Sequence, residues 1–125
     1  MTNKPGLDFS FSGLKTALLH KAQLRGIYPF DETEGLDKSD IIRELASAFQ
    51  DSVVDVVTKK TLEAAKVEKA KGIIIGGGVT ANLLLREMLR KNSDLPVFIP
   101  EPLLCTDNGA MIAACGYFQL ERGME

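Results

Sequence analysis

One histidine and two cysteines in 125 residues leave little material for nucleophilic or metal chemistry. Cys105 and Cys115, separated by nine residues in an apolar, helix-prone stretch, match neither a disulfide framework nor a C-x-x-C zinc pattern, so reduced, intracellular thiols are expected. His20 cannot on its own complete a Cys-His or Ser-His-Asp set, and there is no H-E-x-x-H. The formal net charge is -2 with both signs mixed along the chain, which lacks the basic footprint of a module that grips nucleic acid unaided. If RNA is involved, this chain is not its main grip. No charged segment followed by an apolar core opens the chain, and no apolar run approaches the roughly 20 residues needed to cross a bilayer. A soluble cytoplasmic protein without membrane contact is therefore expected. Internal repeats and low-complexity tracts are also missing.

What is present suits one packed core: with 45% hydrophobic residues, a single domain is expected over 1–125. Leu7-Asp8-Phe9-Ser10-Phe11-Ser12 alternates apolar and polar side chains, which predicts a short half-buried strand with Phe9 and Phe11 on one face. Ser10 or Ser12 then caps a helix of about three turns from Gly13 to Arg25, ended by Gly26. Ile27 to Lys38, with Pro29, Gly35 and several acidic residues, reads as an exposed loop. From Ser39, a good N-cap, the residues Ile42, Leu45, Ala46, Phe49, Val53, Val56 and Val57 fall on one stripe. They predict one long helix to about Lys66, with Glu44 and Asp55 on its wet face.

The β-branched run Gly72-Ile73-Ile74-Ile75 reads as a strand buried on both faces, followed directly by Gly76-Gly77-Gly78 and a helix from about Ala81 to Asn92. Leu95 to Pro100 gives another short strand, and Asn108 to Glu121 a final helix. The order fits an α/β layer arrangement with few short strands and one long helix. Three strands are few for a free-standing sheet, and the chain starts directly on an ordered-looking motif. An internal fragment with a missing partner half is the expectation.

Two segments can carry chemistry. In Gly76-Gly77-Gly78-Val79-Thr80-Ala81-Asn82, the glycines allow positive φ and close approach of a ribose or phosphate to the main chain, beside the amides of a helix start. Asn82 adds a carboxamide that both donates and accepts. The plainer reading is a tight turn with a solvated Asn82, because the pattern is neither G-x-G-x-x-G nor a P-loop. In Cys105-Thr106-Asp107-Asn108-Gly109-Ala110-Met111-Ile112-Ala113, Asp107 stands at the mouth of the last helix. It is placed either to bind a divalent cation or to serve as an N-cap. His20 reads as a surface residue, and Lys15 either meets a phosphate or is simply solvated.

Taken together, Asp8-Phe9-Ser10-Phe11-Ser12-Gly13-Leu14-Lys15-Thr16, GGGVTAN with the following Leu85-Arg86, and CTDNGAMIA resemble the TsaD/Gcp/Kae family, in the same order and at similar separations. The resemblance covers essentially the whole chain. It implies the C-terminal lobe of an actin-like, sugar-kinase-like (ribonuclease H-like) fold of two α/β lobes. It also implies a share in transferring the threonylcarbamoyl group from threonylcarbamoyl-adenylate to N6 of adenosine 37 in tRNAs that read codons starting with A. By that resemblance Asn82 contacts the acyl-adenylate, Gly77 and Gly78 line the nucleotide (threonylcarbamoyl-adenylate or ATP), and Asp107 is a ligand of one iron or zinc ion. No residue is assigned as catalytic. The implied partners are tRNA with a paralogous dimer partner and an ATPase in bacteria, or a larger assembly in archaea and eukaryotes. The family's other metal ligands lie in an H-x-x-x-H motif that has no counterpart here, so the chain alone is expected to be inactive. Competing readings are a metallopeptidase (the family was long named a glycoprotease), a related sugar kinase, and a non-catalytic ATP-binding or scaffold module of the actin-like superfamily.

Overall fold

Helix dominates the computed structural model, which describes residues 6–8, 10–29 and 37–123. The chain divides into two compact units, Met1–Ala64 and Ala65–Glu125.

In the first unit, α1 spans Phe11–Leu24. The strand expected over Leu7 to Ser12 is absent: Gly6 and Leu7 form a bend, Asp8 and Ser10 are irregular, and the helix begins at Phe11, while Phe9 lies outside the described residues. Alternation over six residues needs a partner strand to become a ladder, and the helical pattern that starts at Phe11 wins instead. Ser10 occupies the N-cap with an extended backbone, but its side chain caps nothing. It pairs with the Ser12 hydroxyl at 2.6 Å. The predicted stop at Gly26 is present. Gly26 takes φ +65, its N–H donates to Gln23 O at 3.0 Å, and Ile27 N–H donates to Ala22 O at 3.0 Å. Those two bonds close a Schellman motif, which requires the left-handed backbone that glycine adopts without a Cβ clash.

Helix α2 spans Ser39–Val67. Its start differs from the expected Ser39 cap. Lys38 O accepts the first helical bond, from Ile42 N–H at 3.0 Å, and the Ser39 N–H donates to Asp37 Oδ1 at 2.9 Å. The Ser39 hydroxyl instead accepts from Arg43 at 3.1 Å. A carboxylate two residues upstream can take an orphan first-turn amide, so the serine is left to its own helix. Leu45 and Val56 of the predicted stripe are buried, but Ile42 is 46% exposed, and Val54 and Thr58 are buried as well. Residues two apart lie on nearly opposite sides of a helix, so the middle turns of α2 are covered around more than one face. Glu44 pairs with Arg25 at 2.9 Å and Asp55 with Lys59 at 2.8 Å. Lys60, only 5% exposed, donates to Gly6 O at 2.6 Å and Asp8 O at 2.5 Å. Burying an ammonium is costly unless its N–H groups are satisfied, and here two carbonyls satisfy it, tying the segment before α1 to α2.

In the second unit, β1 (Ile73–Ile74) and β2 (Val97–Phe98) pair in parallel, Ile73 opposite Val97 and Ile74 opposite Phe98. Burial on both faces was expected for β1. Ile73 is 7% exposed but Ile74 is 81% exposed, so one face is covered and the other open. A two-stranded sheet offers too little structure to cover both sides. The glycines after β1 lead into a 3₁₀ turn, Gly78–Ala81, and then α3, Leu83–Asn92. Leu85 and Leu89 on α3 are each 1% exposed and are the most fully buried side chains described. Beyond β2 lie α4 (Pro102–Cys105), which the sequence did not suggest, and α5 (Gly109–Glu121), none of whose residues is buried. Met111, Ile112, Tyr117, Phe118 and Leu120 of α5 are exposed. The architecture is thus mixed α/β, mostly helical, with one small parallel sheet among the described residues. None of the described helices is long and apolar enough to cross a membrane.

Two outcomes follow from this packing. Leu85→Ala should destabilise the chain by about 2–5 kcal/mol in urea unfolding, the usual cost of emptying a fully buried leucine site; a loss well under 1 kcal/mol would show that α3 is not seated as described. The Asp37 carboxylate accepts from the Ser39 amide and lies near its hydroxyl, which holds its pKa below the usual carboxylate value. A depressed folded pKa stabilises above the unfolded value and is lost as pH falls through the folded one. An NMR titration should therefore find Asp37 titrating below the usual carboxylate value, with Asp37→Asn removing that acid-side contribution.

Candidate functional site

Ile75 ends the strand by donating its N–H to Phe98 O at 3.1 Å, and the main chain then turns through the glycines. Gly77 takes φ +89 with an extended ψ of 165, a region in which side chains with a Cβ are strained. A Cβ built at Gly76, Gly77 or Gly78 meets nothing within 4 Å, whereas one at Gly72 would meet Pro96 O at 3.3 Å. Gly72 is small because the neighbouring strand is close. The three corner glycines are bounded by open space, which leaves their main chain accessible to a ligand. Thr80 sets the turn: its N–H donates to Gly77 O at 2.9 Å and its hydroxyl donates to the same oxygen at 2.7 Å. Thr80 is 7% exposed, so this doubly bonded carbonyl anchors the corner from within.

The 3₁₀ turn also changes the place of Asn82. It does not lie within the first turn of a helix beginning at Ala81, but is the N-cap of α3, and its Oδ1 accepts from Leu85 N–H at 3.0 Å. The second segment needs a parallel correction. Asp107 is not the N-cap of α5; Asn108 is, with Oδ1 accepting from Met111 N–H at 3.0 Å and Nδ2 donating to Thr106 O at 2.8 Å. Asparagine has a donor as well as an acceptor, so it can cap forwards and brace the preceding loop at once, which a carboxylate cannot do. Asp107 is therefore not consumed by capping, and its carboxylate is exposed.

The two segments meet. Helix α4 packs on the 3₁₀ turn, and Arg86 bridges them: Nε donates to Thr80 O at 2.5 Å and Nη2 to Cys105 Sγ at 3.0 Å. The Cys105 thiol donates to Pro100 O at 3.6 Å. Arg86 is 7% and Cys105 4% exposed. Asp107 follows Cys105 by two residues. Arg86 had no assigned role in the sequence reading, although the signal was there: a charged residue beside the Leu85 and Leu89 stripe belongs to the buried side of the helix. Lys15 and His20 are exposed on α1. The free thiols expected at Cys105 and Cys115 are present, the second of them exposed.

The donor set does not amount to a metal centre. Among the described residues no three or more His, Cys, Asp or Glu side chains are grouped to hold an ion. Iron or zinc is held by several protein ligands, and here Asp107 offers one.

Comparison with known proteins gives a consistent picture. The family described as TsaD: tRNA N6-adenosine threonylcarbamoyltransferase matches residues 1–114. A protein of Dehalococcoides mccartyi named tRNA N6-adenosine threonylcarbamoyltransferase is 44% identical over 118 residues, covering 94% of this chain and 32% of its own length. Proteins of the same name from Thermomicrobium roseum (43% identical, 94% of this chain and 35% of the relative) and Francisella tularensis subsp. novicida (41%, 100% and 35%) are similar too. The chain spans about a third of the length of these curated relatives.

The capping geometry separates two roles for Asn82. Asn82→Ala should cost about 1 kcal/mol and fray the first turn of α3, whereas Asn82→Asp, which keeps the acceptor, should leave stability near that of the parent. Amide hydrogen exchange at Leu85 checks this: equal protection in all three proteins would remove the cap.

Proposed function

We propose a tRNA-modifying role on the premise that this chain belongs to the TsaD family of tRNA N6-adenosine threonylcarbamoyltransferases, which matches residues 1–114. In this reading the chain supplies part of an acyltransferase: the nucleotide-facing wall of the cleft in which threonylcarbamoyl passes from its adenylate to N6 of adenosine 37. It belongs to the C-terminal lobe of an actin-like fold, acts in the cytoplasm on tRNA, and works beside a paralogous dimer partner and an ATPase or within a larger assembly.

The observation that carries this reading is the junction of the glycine corner with the Asp107 segment through Arg86. Open space over Gly77 and Gly78 lets a ribose or phosphate lie against the main chain there. In this reading Asn82, which caps the following helix, also contacts the acyl-adenylate. A cleft of this kind works by positioning: holding the acyl donor and the adenine amine in near-attack geometry removes most of the entropic cost of a bimolecular encounter. With a net charge of -2, this chain leaves the grip on tRNA to other surfaces.

The metal enters this reading only as a question of ligands. Asp107 contributes one carboxylate to an iron or zinc site whose remaining ligands come from outside this chain.

A graft tests the proposal. The chain replaces the matching segment of the Dehalococcoides mccartyi protein, and the graft is expressed in cells depleted of their own enzyme, with threonylcarbamoyladenosine in tRNA measured by nucleoside mass spectrometry. The graft should restore the modification and the 125-residue chain alone should not. Asp107→Ala in the graft should lower it by about 100-fold or more, the scale of losing one preorganised polar group at a reacting centre. A folded graft that yields no modified nucleoside while the ungrafted parent does would falsify the assignment.

A further inference from the structure

We infer that Arg86 is a positioning residue that holds the glycine corner and the Asp107 segment in one fixed relation. Arg86 is 7% exposed, so its cationic side chain is largely withdrawn from water. Among the described residues no carboxylate pairs with it; its hydrogen-bond partners are a carbonyl and a thiol. A buried charge with only neutral acceptors is an expensive way to fill space, since an apolar side chain of similar volume packs without the desolvation cost. What the guanidinium adds is geometry. Nε and Nη2 lie on one edge of a rigid planar group, so the Thr80 oxygen and the Cys105 sulfur are held at a set separation.

Each acceptor leads directly into one candidate segment. On one side, Thr80 makes two hydrogen bonds to Gly77 O, so the guanidinium fixes the carbonyl of the residue that fixes the corner. On the other side, Cys105 closes α4, its thiol is tied back to Pro100 O, and Asn108 braces Thr106 O on the way to α5. Asp107 lies between those braces. The chain of contacts from Gly77 through Thr80, Arg86 and Cys105 to the Asp107 loop lies wholly within the unit Ala65–Glu125. Lysine does not reproduce it: an ammonium can meet two carbonyls, as Lys60 does, but on its flexible stem it lacks the rigid planar edge that sets the separation of the Thr80 oxygen and the Cys105 sulfur.

The geometric part of this inference stands alone, while its consequence for ligand binding rests on the function proposed above. Amide NMR shifts of Gly77, Gly78, Asp107 and Asn108 are compared in the 125-residue chain and its Arg86→Lys, Cys105→Ala and Cys105→Ser forms. Binding of ATP is measured in the graft with the same substitutions. Arg86→Lys should move the amides of both segments and weaken ATP binding about tenfold, a loss of about 1.4 kcal/mol. Cys105→Ala should reproduce the shifts in part, and Cys105→Ser, which keeps an acceptor, should restore the parent spectrum. A role in packing alone predicts no such rescue by serine. Glycine amides that stay in place in Arg86→Lys overturn the inference. If Arg86→Lys fails to fold, glycine amides that ignore Cys105→Ala overturn it in its place. A parent graft that binds no ATP counts against the functional reading, and the NMR shifts still judge the clamp.

Discussion

The second unit depends on a guanidinium buried where its only described partners are neutral. Arg86 sits beside the two leucines that form the driest part of the structure, and its two hydrogen bonds draw the 3₁₀ turn and α4 together. Hydrophobic burial of Leu85 and Leu89 seats α3, but it is non-directional and cannot specify how a glycine turn and a four-residue helix meet. Directional donors can. The same side chain that is costly to bury thereby gives this region its definite geometry, and the residues that carry the proposed chemistry flank its contacts.

The rest of the structure is unevenly covered. Ile74 lies open on the outer face of β1, and α5 is apolar yet has no buried residue. Exposed apolar area on this scale marks surfaces that ordinarily meet other structure. The chain spans about a third of the length of its curated relatives. In the first unit the same economy appears in a different form, with Lys60 using an ammonium to hold the carbonyls of Gly6 and Asp8.

Much of the fold was legible in the residues. The stop at Gly26, the long helix from Ser39, the strand at Ile73, the glycine turn and the final helix follow from periodicity and from local backbone preferences, which act over a few residues. The motifs DFSFSGLKT, GGGVTAN and CTDNGAMIA pointed to the family that the comparisons then showed. The errors lie where a local pattern is decided by distant partners. The alternation at Leu7 to Ser12 found no strand to pair with, and the outer face of β1 found no cover. Caps moved to near neighbours: Lys38 and Asp37 do the work expected of Ser39, and Asn108 does the work offered to Asp107.

Local chemistry therefore specified the helices, the glycine corner and the identity of the residues available to a ligand, because turn geometry and helical period are properties of neighbouring residues. Which of those residues come together is a long-range matter. The contact between Arg86 and Cys105 joins positions nineteen apart, from α3 past β2 to the end of α4, and burial of the guanidinium arises only when α3 and α4 close over it. No spacing rule encodes that contact, since the acceptors are a backbone carbonyl and a thiol, groups that carry no sequence signature for pairing with arginine.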